Sequence, residues 1–222
     1  MYTQTKLLYG CVKEDNQILG EYIEHCGDKL LEEFIITPAK GGNWAKDRIE
    51  KGETVRALHD QNMLSHINNG LYPTHELIEL LEKDGIVKLS DEEKRIYTIA
   101  YTTHDVDKIW HTEIKSNNKQ EIDNFKEKLF SYCISMNMDK FFPDLKEHIG
   151  TIAFLILNTQ KSWGANLDDI NFNISINGRK LTYIRQLCTF SDKVAYLLKS
   201  PSDILNTENG INELIEILSY QK

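Results

Sequence analysis

The stretch from Ser90 to Lys108 does more than any other to restrict the folds open to this chain. Ser90, followed three residues later by Glu93, reads as a capping box. Asp91 and Glu92 sit where the positive end of a helix dipole favours carboxylates. Ile96, Ile99, Ala100 and Thr103 then recur at helical spacing, so one face of this helix turns inward. His104 falls four residues after Ala100 and eight after Ile96, which aims it at the same interior, with Asp105 beside it. An imidazole and a carboxylate at the edge of an apolar core are costly unless something binds them. A divalent metal ion is the natural compensation, because both groups are ordinary ligands for one. Lys108 lies at i+4 from His104 and i+3 from Asp105, on their face if the helix continues, where its ammonium could meet a phosphate.

Helical periodicity runs through most of the chain and predicts a mainly all-α bundle. A first helix is expected over about 16–34, with Gly20 and Gly27 weakening it from within. Pro38 and Gly41-Gly42 mark a loop. A second helix starts near Gln61, Asn69-Gly70 interrupts or ends it, and Pro73 opens another, with His75 in its first turn. Further helices are expected over 120–136, 145–159, 181–199 and 209–218. Residues 168–182 differ, because Phe172, Ile174 and Ile176 alternate with polar residues before Asn177-Gly178; this predicts a small β-hairpin insertion. No linker divides the chain, so one domain over 1–222 is expected, with 1–50 as an N-terminal helical extension.

Two further polar residues stand out on apolar stripes. His66 lies among Met63, Leu64 and Ile67, and Asp192 lies four residues after Cys188 and three before Ala195. His66, His104-Asp105 and Asp192 therefore occupy separate helices, and converging helices can close such side chains around one ion. His148, inward beside Leu145, Ile149 and Ile152, reads first as a satisfied core histidine, with a second-metal ligand or a substrate-orienting group as the alternatives. Asp107 and His111 are expected at the rim or in solvent, and His59-Asp60 as a cap.

Composition removes several function classes. Hydrophobic content of 41% and charged content of 27% are those of an ordinary globular protein, and no apolar run is long enough for a membrane span. Cys11, Cys26, Cys133 and Cys188 form no C-x-x-C pair, so reduced thiols in a cytoplasmic protein are expected. The net charge of −8 is unlike that of a free-standing nucleic-acid binder, so a polynucleotide substrate would have to be held by a local basic patch or a partner.

The ordered set His66, His104-Asp105, Asp192 resembles the signature of the HD superfamily of metal-dependent phosphohydrolases. His104-Asp105-Val106-Asp107-Lys108 also follows the His-Asp-x-x-Lys form common in that superfamily. Within it, residues 60–73 are similar to the first motif of the large-subunit family of type I-D CRISPR complexes (Cas ten-d, or Csc-three). The segments 95–108 and 187–193 fit the same likeness, which spans roughly residues 55 to 200.

The resemblance implies an HD-domain helical bundle acting as a nuclease on DNA, preferentially single-stranded. His66, His104, Asp105 and Asp192 would ligate a divalent ion (Mg, Mn, Ni, Co or Fe), Asp105 would bridge if two ions bind, and Lys108 would stabilise charge on the phosphate. Partners would be single-stranded DNA, the remaining large-subunit body and other subunits of an effector complex carrying guide RNA. Two alternatives stay open: an HD-type nucleotide or cyclic-nucleotide phosphohydrolase, and a non-catalytic HD-fold docking module.

Overall fold

The computed structural model describes residues 16–40, 49–52, 61–111, 118–159 and 172–196. Helices dominate them. α1 (Gln17–Phe34) is started by Asn16, whose side chain accepts from Leu19 N, and it runs unbroken through Gly20 and Gly27. A two-stranded antiparallel ribbon, β1 (Pro38–Lys40) with β2 (Gln61–Asn62), leads into α2 (Met63–Lys83). Next come α3 (Asp91–Thr102), α4 (Val106–Trp110), α5 (Lys119–Ser135), α6 (Met138–Phe141), α7 (Leu145–Thr159) and α8 (Gly178–Tyr196). The all-α expectation holds. No described helix is long and apolar enough to cross a membrane.

The core centres on α7. Ile152 to Leu157 are all essentially inaccessible, which is the pattern of a helix surrounded on every side. α3, α5 and α8 pack around it, and α2 lies along α8 in the most extensive helix pair of the bundle. α1 packs against α2, α3 and α6, and buries Leu19, Tyr22, Cys26 and Phe34 in the same cluster as the later helices. The capping box at Ser90 and Glu93 is present as expected. The buried Glu93 carboxylate also takes Lys180 Nζ at 2.8 Å, tying the start of α3 to the first turn of α8.

Four local expectations are corrected. α2 does not stop at Asn69-Gly70 or restart at Pro73. At Gly70 a Cβ would lie 2.0 Å from Tyr101 Oη and 2.5 Å from Ser191 O, so this glycine marks a close helix crossing rather than a break. Pro73 sits exposed inside the helix, and Thr74 Oγ1 donates to Gly70 O at 2.8 Å one turn back. His75 is therefore no helix-start residue: it is buried in mid-helix, with Nε2 2.9 Å from Thr98 Oγ1. α3 also ends at Thr102, so His104-Asp105 occupies the turn before α4 rather than the helix itself.

The fourth correction concerns the hairpin expected over 168–182. Residues 168–171 lie outside the described residues; 172–177 form no strand, and helix begins at Gly178. Phe172 is instead drawn into the core, edge-on to Phe154 at 5.3 Å. Its carbonyl crosses α7 so closely that a Cβ on Gly150 would lie 1.7 Å away. Ser175 N donates to Thr151 Oγ1 at 3.0 Å, so α7 rather than a partner strand satisfies this backbone. Asn177 accepts from Lys180 N at 3.0 Å, which makes Asn-Gly a helix start instead of a hairpin turn. The helix expected over 209–218 falls outside the described residues.

Candidate metal centre

Three segments deliver the candidate ligands. Asn62 caps α2 by accepting from Ser65 N at 2.8 Å, and His66 follows one turn in, on the face that also buries Met63, Ile67 and Gly70. The turn after α3 holds His104 and Asp105, and Asp105 occupies the N-cap position of α4. α8 brings Asp192 from the opposite side, one residue after the buried Ser191.

The four side chains meet. His66 Nε2 lies 3.2 Å from Asp192 Oδ1 and 3.7 Å from Asp105 Oδ2. His104 Nε2 lies 3.4 Å from Asp105 Oδ2, 3.5 Å from Asp192 Oδ1 and 3.5 Å from His66 Nε2. Neighbouring ligands about 2.1 Å from one ion stand roughly 3.0 to 3.4 Å apart, so this spacing is close to that of a coordination shell. His66, His104 and Asp105 form a buried group that could hold a metal ion. Asp192 adjoins this group through the two histidines, on the side most open to solvent, its side chain 28% exposed against 0 to 5% for the other three.

The donor set fits a cation chemically. His104 Nδ1 donates to Tyr101 O at 2.6 Å, which makes Nε2 the nitrogen available to a cation in the cluster. The two imidazoles stand 3.5 Å apart at Nε2, and each also lies within 3.2 to 3.7 Å of both carboxylates, contacts made by sharing protons that a cation could replace. Burial works against charging His104, yet Asp105 and Asp192 outweigh it and raise its pKa. Burial, helped by His104, lowers that of His66. Both carboxylates are held below the usual range despite burial, Asp105 chiefly by His104 and Lys108, and Asp192 by the two histidines. Both carboxylates therefore stay ionised beside the histidines and Lys108, which is the protonation state that ligation of a cation requires.

Lys108 reaches the site although α3 does not continue to it. It lies in the first turn of α4 and its Nζ pairs directly with Asp105 Oδ2. Asp107 is half-buried, with Oδ1 enclosed by protein, and burial together with Asp105 pushes its carboxyl up. His111 is exposed and closes α4 in the left-handed region, with φ 51°. His59-Asp60 lies outside the described residues.

His148 is not part of this site. Its Nδ1 is 2.8 Å from Ser175 Oγ, its Nε2 is 3.6 Å from Glu92 Oε1, and its ring stacks on Phe142. Glu92 is at the start of α3 and His104 lies beyond its far end, so His148 sits apart from the cluster as the hydrogen-bonded core histidine expected first.

Sequence reasoning overlooked Tyr101, Tyr97 and Ser191, which lie directly behind the ligands. Tyr101 stacks on the His104 ring at 4.8 Å and 9°, and its Oη reaches the carbonyls of His66 and Ser191. The available signal was a pair of tyrosines four apart on the inward stripe of α3, since a buried phenol needs a polar partner. No protein-family model matches the chain, and no curated protein matches it.

Proposed function

We propose that this chain is a metal-dependent nuclease of the HD type, cutting single-stranded DNA as the nuclease module of a type I-D CRISPR complex. The observation that carries the reading is the meeting of His66, His104, Asp105 and Asp192 within 3.2 to 3.7 Å of one another along five of their pairwise contacts. This is the ligand set that the HD signature implies, in the same order. A divalent ion there would polarise a phosphoryl oxygen and acidify a water near neutral pH.

The chain's own residues supply the rest. His104, fixed by its bond to Tyr101 O, presents one defined nitrogen. Asp105 and Asp192 bring the negative charge that retains a cation. Lys108, partly exposed and paired with Asp105, stands where charge on a phosphate can be balanced. Of the four candidate ligands Asp192 alone opens appreciably to solvent, which suits a narrow strand or a small molecule better than intact duplex.

The net charge of −8 favours a strand delivered by basic partner subunits, and it also keeps a second reading in view, hydrolysis of free nucleotides or cyclic nucleotides. Cleavage of single-stranded and duplex DNA with Mg²⁺, Mn²⁺, Ni²⁺ or Co²⁺ tests both when run beside a nucleotide panel. Metal-dependent cutting of single strands, lost in His104→Ala, is expected. Phosphate release from monomers without strand cutting would favour the second reading, and turnover unaffected by His104→Ala would defeat both.

A further inference from the structure

We propose that Tyr101 is the positioning residue of the metal centre, one phenol that sets the relative placement of the three ligand-bearing segments. The inference rests on the metal reading of that centre. Tyr101 is completely buried at the last full turn of α3. Its ring lies against His104 with an interplanar angle of 9°, and its own carbonyl accepts the His104 Nδ1 proton. Its hydroxyl hydrogen is shared between two backbone carbonyls, those of His66 at 3.3 Å and Ser191 at 3.2 Å. One belongs to a ligand on α2, and the other to the residue preceding the ligand on α8. Tyr101 therefore touches the α3–α4 turn, α2 and α8 at their ligand positions.

Phenylalanine would fill this volume with the same apolar area. What the hydroxyl adds is the bond to each flanking strand of backbone. Gly70 leaves the room for it, since a Cβ there would fall 2.0 Å from Tyr101 Oη. Tyr97 makes the useful contrast. It stacks behind Tyr101 at 6.4 Å, with Tyr101 between it and the His104 ring, and its Oη lies 2.6 Å from the side-chain Oγ of Ser191 rather than from a backbone carbonyl beside a ligand.

Tyr101→Phe keeps the ring and removes only the tether, and Tyr97→Phe serves as the control. Co²⁺ affinity by calorimetry, the visible absorption of the Co²⁺ form, and the metal-free melting curve separate positioning from packing. In Tyr101→Phe, Co²⁺ binding is expected to weaken about ten-fold or more with an altered absorption band, as for loss of a group that orients metal ligands. Tyr97→Phe is expected to lower the metal-free melting point while keeping wild-type Co²⁺ binding. Wild-type affinity and spectrum in Tyr101→Phe would overturn the positioning role alone. Absence of Co²⁺ binding by the wild type would overturn the metal reading and the positioning role with it.

Discussion

His66 and His75 sit nine residues apart on one helix, both inaccessible, and they face different partners. His66 faces carboxylates. His75 faces Thr98, whose hydroxyl already donates to Lys94 O and so accepts from His75 Nε2. Burial, helped by Lys94, pushes the His75 pKa down to about 3, so this ring stays neutral in the fold where an unfolded chain would take up a proton. Between about 6.5 and 3 the unfolded state binds more protons, so stability falls as pH drops through that window, by up to about 1.4 kcal/mol per unit. His75→Gln preserves a donor near Nε2 and removes the titration. Urea unfolding at pH 7 and pH 5 should show a smaller acid-side loss in His75→Gln, and an unchanged loss would assign the acid sensitivity elsewhere. The contrast also explains what sequence could resolve at this scale. His66 and Asp192 were legible as polar groups on apolar stripes, but His148 gives the same signal and is satisfied by Ser175. The pattern reports that a buried polar group needs a partner, not which partner it finds.

Helix starts were legible where a side chain caps them, as at Asn16 and Ser90, because the capping bond is local. Asn69-Gly70 and Asn177-Gly178 misled for one shared reason: the fate of an Asn-Gly pair is decided by what packs on it. At Gly70 the missing Cβ admits Tyr101 and the backbone of α8. At Asn177 the side chain turns back to cap α8. Gly70→Ala should therefore act opposite to the usual gain in helix propensity, destabilising by about 1 to 3 kcal/mol through overpacking. Because the new methyl presses on both Tyr101 Oη and Ser191 O, Co²⁺ affinity should fall as well. Denaturant melts and Co²⁺ titration check both effects. A more stable variant with unchanged affinity would mean that α2 and α8 can separate there at little cost.

Across the molecule, the ligands come from positions 66, 104, 105 and 192, and no short segment contains the site. Sequence could name them only as an ordered set; their meeting depends on α2, α3 and α8 sharing one hydrophobic cluster. A cation bound by all of them would cross-link that cluster in the folded state alone, since the unfolded chain holds the four donors far apart. Binding to the native state stabilises by mass action, about 2.7 kcal/mol at a free-ion concentration one hundred times the dissociation constant. For a chain of this size that corresponds to a rise in melting temperature of about 5 to 10 °C. Since the ligand-bearing helices belong to a single core, the whole unfolding transition should move, with no separate early phase. Scanning calorimetry with Mn²⁺ or Co²⁺ against EDTA tests this, and Asp105→Ala should abolish the difference. Equal melting points with metal and with chelator, or a shift that survives in Asp105→Ala, would show that these four side chains do not close on a common ion.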